Sequence, residues 1–390
     1  MDPNTTVCAP NATISLAVIV ALLEANNQGK HFSYSSKIEL FALFFSIELK
    51  ELEACFGGFA HYYLRKQNIR MSDHGNTLTS ASANRDDFSV TFSLSDVFDI
   101  EHFVAREPEL EEMCKALSSD GSRQAVVLHG LGGIGKTQLT VAYAKRHRNS
   151  YSAIFWLNIN DEDSVKQSFA KMARQILRER PTAARLSSVD LSEDLDGVVD
   201  AVKSWLSLPN NTRWLAIYDN YDNPKLPGHD TDLTAVDIRI FLPESYQGSV
   251  IVTTRSSQVE MGHKIKLRKL EGLQDGLRIL SNASRRQKLA NDPDAVKLAQ
   301  ELDGLPLALA TAGAYLHQVM MSFSDYLRLY KESWSRLQVT SPNLSSYEDR
   351  TLYSTWQISY EHVEQQNSLS AMLLRLWAYF DNYDLWLELL

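Results

Sequence analysis

The hydrophobic rhythm of the chain changes three times. Up to residue 70, large apolar residues recur three and four apart: Ile38, Phe41, Phe45, Leu49, Leu52, Phe56, Phe59 and Tyr63. That is the period of one helix face, so the stretch predicts a helical N-terminal region over 1–70, interrupted near Gly57-Gly58. Ser36 and Glu39 have the spacing of a capping box before it. The stripe reads as the inward face of a helical bundle; a partner-binding or membrane-active face is the alternative. Residues 72–87 are small and polar. They predict a linker, taken here as 71–97.

From 98 to 270 the rhythm is different. Short, nearly continuous apolar runs stand at 125–129, 153–158, 213–219 and 248–255, with a fifth at 263–270. Amphipathic stretches at 138–148, 164–178 and 196–206 separate them, and a helix with Pro108 in its first turn precedes them. Apolar strands alternating with helices predict a parallel sheet covered on both faces. Beyond 271 no further strands are expected. Helices are predicted at 294–302, 307–319 and 323–337, making an all-helical subdomain over 271–345. Two more, at 352–360 and 368–380, fall in a segment spanning 346–390.

One stretch carries chemistry. Gly130-Leu131-Gly132-Gly133-Ile134-Gly135-Lys136-Thr137 fits G-x-x-x-x-G-K-[ST], and it sits between an apolar strand and a helix, as a phosphate-binding loop requires. Glycines free the backbone to turn its N–H groups inward, and the helix N-terminus adds its dipole. Lys136 is placed to reach β- and γ-phosphates, and the Thr137 hydroxyl to hold Mg²⁺. In an open α/β sheet, ligands bind at the carboxyl ends of the strands. Asp219 ends one apolar strand there and is a candidate Mg²⁺ ligand, directly or through water. Arg255 ends another; on its own it reads by default as a surface salt bridge, and a contact to a γ-phosphate is the alternative.

Bulk properties exclude several classes. A net charge of −9 argues against a protein that grips nucleic acid through a large basic surface. The three cysteines, Cys8, Cys55 and Cys114, are far apart and form neither a disulfide framework nor a zinc site, which suits a reducing compartment. The apolar run at 12–23 is too short to cross a bilayer and has Asp2, not a basic residue, ahead of it, so no signal peptide or membrane role is expected.

The ordered set of motifs resembles the NB-ARC module of the STAND P-loop NTPases. These are the nucleotide switches of NOD-like receptors and apoptosome scaffolds, and the flavour is fungal. The matching pieces are Val104-Ala105-Arg106-Glu107 for the family's "VGRE", Gly130–Thr137, 154–158, 215–222, 248–255 and Gly304-Leu305-Pro306-Leu307-Ala308-Leu309. Thr355-Trp356-Gln357-Ile358-Ser359-Tyr360 and Ala371-Met372-Leu373-Leu374 are similar to the start of the family's winged-helix domain. The implied fold is an α/β P-loop NTPase, then the helical subdomain, then a winged helix still incomplete at residue 390. The implied nucleotide set is Val104, Arg106, Gly130, Gly132, Gly133, Ile134, Gly135, Lys136, Thr137, Gln138 and Pro306. In it, Val104 and Arg106 lie near adenine and Pro306 packs on it. Asp219 is the Walker-B acid, with Asn220 beside it and Arg255 as sensor.

What the resemblance implies for function is a cytoplasmic ADP/ATP-binding signalling switch in innate immunity. Nucleotide exchange would drive opening and self-association, with the N-terminal helices as the contact to further copies or a partner. Three departures matter. Ala105 replaces the family's glycine. Asn220 replaces the second acid of its "DD"; Asn orients a water but cannot accept its proton, so ATPase activity is expected to be weak, with Asp222 as a possible substitute. The winged helix's His-Asp motif and the repeat sensor have no counterpart. The alternatives are a non-switching adaptor that binds ADP, or a conventional P-loop ATPase.

Overall fold

The computed structural model describes residues 88–92, 103–118, 122–225 (apart from 182, 184 and 192), 234–340 and 347–377. The expected N-terminal stripe and residues 72–87 lie outside them.

Five strands form one sheet: β1 (Gln124–His129), β2 (Ala153–Asn158), β3 (Trp214–Asp219), β4 (Ser249–Thr254) and β5 (His263–Lys266). Their order is β2-β3-β4-β1-β5, with every pair parallel. The last strand is shorter than its apolar run suggested; Leu267 still donates its N–H to His129 O, 2.9 Å. Helices α1 (Glu107–Ala116), α2 (Lys136–Arg146), α3 (Glu162–Glu179) and α4 (Leu195–Leu206) belong to this part. Aspartates start two of them. Asp161 accepts from Ser164 N–H at 2.7 Å and Asp194 from Gly197 N–H at 2.9 Å, so α3 begins two residues ahead of the apolar periodicity.

Why the strands read as continuous apolar runs is visible in the core. Val126, Leu128, Leu215, Ile217 and Ile251 belong to one buried cluster, together with α1, α2 and the later helices. Their strand neighbours Val127, Ala216, Tyr218, Val250 and Val252 belong to a second, with α3 and α4. Side chains alternate across a strand, so a sheet covered on both faces needs apolar residues at every position.

Past the sheet come α5 (Leu273–Ser284), α6 (Pro293–Glu301), α7 (Pro306–Gln318), α8 (Phe323–Thr340) and α9 (Tyr347–Gln366). Helix α10 (Ser368–Trp377) falls outside the compact unit Ser82–Gln366. Part of the expected linker is built onto the nucleotide-binding part. Val90 is buried and donates to Ser152 O, 2.9 Å, while the Glu179 carboxylate accepts from Thr91 N–H and Oγ1. Among the described residues no helix is long and apolar enough to cross a membrane.

Candidate nucleotide site

The sheet order brings the ends of β1, β3 and β4 side by side, because β4 lies between the other two. Leu128 pairs with Thr253 and His129 with Thr254. The loop Gly130–Gly135 therefore leaves the sheet beside Asp219 and Arg255, and Gly130 N–H donates to Thr254 O, 3.2 Å. Gly133 and Gly135 have φ of 71° and 97°, a left-handed backbone open mainly to glycine. Gly135 caps α2, and a Cβ there would meet nothing within 4 Å. The first turn of α2 presents N–H groups that have no intrahelical acceptor.

Lys136 folds onto its own loop, donating to Gly130 O at 2.8 Å and Leu131 O at 2.9 Å. Burial pushes its pKa below the usual lysine value. The charges of Asp222 and Asp219 oppose that shift, and Arg255 adds to it. His129, just ahead of the loop, is also pushed down, first by burial and then by Lys264, Lys266 and Lys136.

Asp219 is only 4% exposed. Its Oδ1 accepts from Thr137 Oγ1 at 3.0 Å and from Thr253 Oγ1 at 2.5 Å. Burial raises its pKa; hydrogen bonds from Thr253, Thr137 and Trp156 and the charge of Lys136 act the other way. A carboxylate held by neutral hydroxyls and joined to the loop's own threonine fits a site for a divalent cation. Mg²⁺ bound with phosphates usually takes only one or two protein ligands.

The end of β4 is stitched to the turn after β3, residue by residue. Thr253 holds Asp219 and also accepts Asn220 N–H, 3.1 Å. Thr254 Oγ1 donates to Tyr221 O. Arg255 meets Asp222, its backbone N–H reaching Oδ1 at 2.7 Å and its Nε reaching Oδ2 at 2.8 Å. Asn220 makes the turn possible with φ of 68°, a conformation asparagine tolerates. Asp222, considered above as a substitute acid, is engaged by Arg255. Thr253, Thr254 and this role of Asp222 were not apparent from the sequence, although Thr-Thr-Arg at a strand end marked the place.

The Val104–Arg106 entry supports the loop from beneath. Val104 is buried. Arg106 Nη2 donates to Ile134 O at 3.0 Å and Arg268 O at 2.7 Å, and Nη1 pairs with Glu109. Ala105 and Arg106 are both left-handed, with φ of 63° and 71°. An L side chain costs about 1–2 kcal/mol in that conformation. Ala105→Gly is therefore expected to stabilise the chain by about 0.5–1 kcal/mol in denaturant unfolding, part of the relief being offset by glycine's freedom when unfolded. A loss of stability would contradict the left-handed backbone.

The helical part reaches the loop itself. Gly304 has φ of 66°, and its O accepts Leu270 N–H, 3.0 Å. That seats Pro306 as the first residue of α7 and lets Leu307 N–H donate to Gly133 O, 3.2 Å. Pro306 is half-buried and Gln138 lies in the first turn of α2.

A phosphate loop between strand and helix, with an acid ending a neighbouring strand of a parallel sheet, defines a P-loop nucleotide-binding protein. Residues 106–219 match the model of the NB-ARC domain family, a family of nucleotide-binding modules. The chain is 28% identical over 295 residues to a nucleotide-binding leucine-rich repeat (NLR)-like protein of the fungus Hyaloscypha variabilis, covering 70% of this chain and 29% of that protein. It is also 28% identical over 249 residues to the disease resistance protein RPM1 of Arabidopsis thaliana, covering 57% and 24%. The chain thus spans less than a third of each relative. Among solved structures it aligns with Cdc6p of Pyrobaculum aerophilum at 11% identity and a TM-score of 0.39, covering 72% of this chain and 84% of that one. It aligns with the Walker-type ATPase of Pyrococcus abyssi at 12% and 0.37, covering 62% and 77%.

Proposed function

We propose that this protein is a nucleotide-operated signalling switch of NOD-like-receptor type. ADP is held at rest, exchange for ATP is coupled to opening and self-association, and hydrolysis is slow. One observation carries the reading: helices beyond the sheet touch the phosphate loop. Leu307 of α7 donates its N–H to Gly133 O. A Cβ added at Gly133 would lie 2.9 Å from Leu307 Cβ and 3.3 Å from Leu352 Cδ1 of α9. A loop reshaped by its ligand must move these side chains or strain against them. Two segments distant in sequence then sense what the loop holds.

In this reading Lys136 holds phosphate, Thr137 and Asp219 hold Mg²⁺, and Arg255 meets the γ-phosphate. Val104, Arg106 and Pro306 frame the adenine, Arg106 through the backbone it ties together. Mg²⁺, when bound, would neutralise negative charge on the phosphates. Asn220 orients a water without taking its proton. Residues 1–70 supply the self-association surface, and 346–390 begin a winged helix. The protein acts in the cytoplasm in innate immunity; the likeness to a disease resistance protein supports the immune part of that reading.

The test is the nucleotide that co-purifies, with the mass of the protein before and after ATP exchange. ADP near one per chain and a larger assembly with ATP are expected. Absence of any nucleotide would overturn the reading. ADP bound with no change of mass would leave a nucleotide binder that does not switch.

A further inference from the structure

We infer that Asp222 is a positioning residue that holds Arg255 back from the phosphates and so sets the preference between ATP and ADP. The inference rests on reading Gly130–Thr137 as a polyphosphate site.

Asp222 spends both carboxylate oxygens on one residue. Oδ1 takes the backbone N–H of Arg255 and Oδ2 takes its Nε, at 2.7 and 2.8 Å. The Arg255 side chain is nevertheless 67% exposed. Its guanidinium lies over the phosphate loop, since a Cβ added at Gly132 would stand 3.5 Å from Cζ and 3.7 Å from Nη2. Asp222 holds the Nε edge, and the Nη groups are those an anion in the loop would meet.

The position of Asp222 is fixed, not incidental. Asn220 turns the chain in the left-handed region. Tyr221 is buried, its N–H donates to Thr253 O at 2.9 Å, and its hydroxyl donates to Val236 O at 2.9 Å. Residue 222 therefore stands opposite residue 255. Its charge also acts on Lys136.

A γ-phosphate and Asp222 are two anions facing one guanidinium. ADP, one phosphoryl group shorter, leaves Arg255 with Asp222. ATP must share Arg255 with the carboxylate. Asp222 therefore opposes ATP more than ADP, which favours the ADP state at rest.

Asp222→Asn tests this in the full chain. Asparagine keeps an oxygen for the Arg255 N–H but replaces the oxygen facing Nε with a donor. Displacement of a fluorescent ADP by ADP and by a non-hydrolysable ATP analogue, both with Mg²⁺, gives the two affinities. The ATP-to-ADP affinity ratio is expected to rise about tenfold, through tighter ATP binding and with ADP binding unchanged. Asp222→Glu, which keeps the charge, is expected to stay near the parent ratio. In an Arg255→Ala background, Asp222→Asn is expected to leave the ratio where it was. An unchanged ratio for Asp222→Asn would overturn the inference. So would an equal change with Arg255 absent, which would mark an effect of Asp222 that does not pass through Arg255. Failure of the parent chain to bind either nucleotide would instead remove the site reading and this inference with it.

Discussion

Lys136→Ala is expected to weaken ADP binding by about 100-fold or more while leaving the unliganded fold intact. Among the described residues the ammonium has no carboxylate in contact: it bonds two loop carbonyls, Gly130 O and Leu131 O. Burial works against its charge, and Arg255 adds to that. Such a cation costs the unliganded protein stability and recovers it when phosphate arrives. Charge-assisted hydrogen bonds contribute about 1.5–3 kcal/mol each. Losing one bond at the upper end of that range gives about 100-fold in affinity. The readout is the rise in melting temperature with added ADP, which follows RT ln(1 + [L]/Kd) and should vanish in the variant at concentrations that protect the parent. The unliganded melting temperature should hold or rise slightly. A variant that still carries full ADP occupancy would mean that the loop is not the nucleotide site.

Much of this was legible in the sequence, for identifiable reasons. A strand buried on both faces must be apolar at every position, so β1, β3 and β4 announced themselves as unbroken runs. The loop was legible because positive φ demands glycine, and Gly133 and Gly135 are where that demand falls. The positions of Asp219 and Arg255 followed from strand ends. Their environment did not. Nothing in Thr-Thr-Arg states that Thr253 bonds Asp219 or that Arg255 bonds Asp222, because those contacts depend on β4 lying beside β3. The same holds for Leu307 and Leu352 against Gly133, residues 174 and 219 positions further along the chain. Arg106 shows a different limit. The resemblance implied a place near adenine, but its guanidinium is occupied by Ile134 O, Arg268 O and Glu109. On the proposed reading it acts by holding the loop's shape. Asn220 has a double reading that only the backbone exposes: it lacks a proton-accepting carboxylate, and it also suits the left-handed turn that sets Asp222 in place.

Asp219→Asn should separate stability from function, moving the two in opposite directions. The carboxylate is nearly fully buried and is held by threonine hydroxyls and Trp156, with Lys136 helping through its charge. Burial leaves its pKa above the ordinary 3.8. The sign follows from linkage. The folded state binds this proton more tightly than the unfolded chain does. The resulting stability is present below the unfolded value and is lost as pH rises through the folded one. At neutral pH Asp219 therefore destabilises the unliganded fold. Asparagine keeps an oxygen for Thr137 and Thr253 and removes the charge, so a gain of about 1 kcal/mol is expected at pH 7. The gain should shrink as pH falls and the wild-type carboxyl takes up its proton. Function should go the other way. Without the carboxylate beside Thr137, added Mg²⁺ should no longer strengthen nucleotide binding, whereas in the parent it should. The paired measurement is decisive because a general packing defect would lower stability at every pH and weaken nucleotide binding with or without Mg²⁺. A stabilised variant that kept its full Mg²⁺ response would place the cation elsewhere. A destabilised one would mean that the hydroxyls around Asp219 compensate its charge in full.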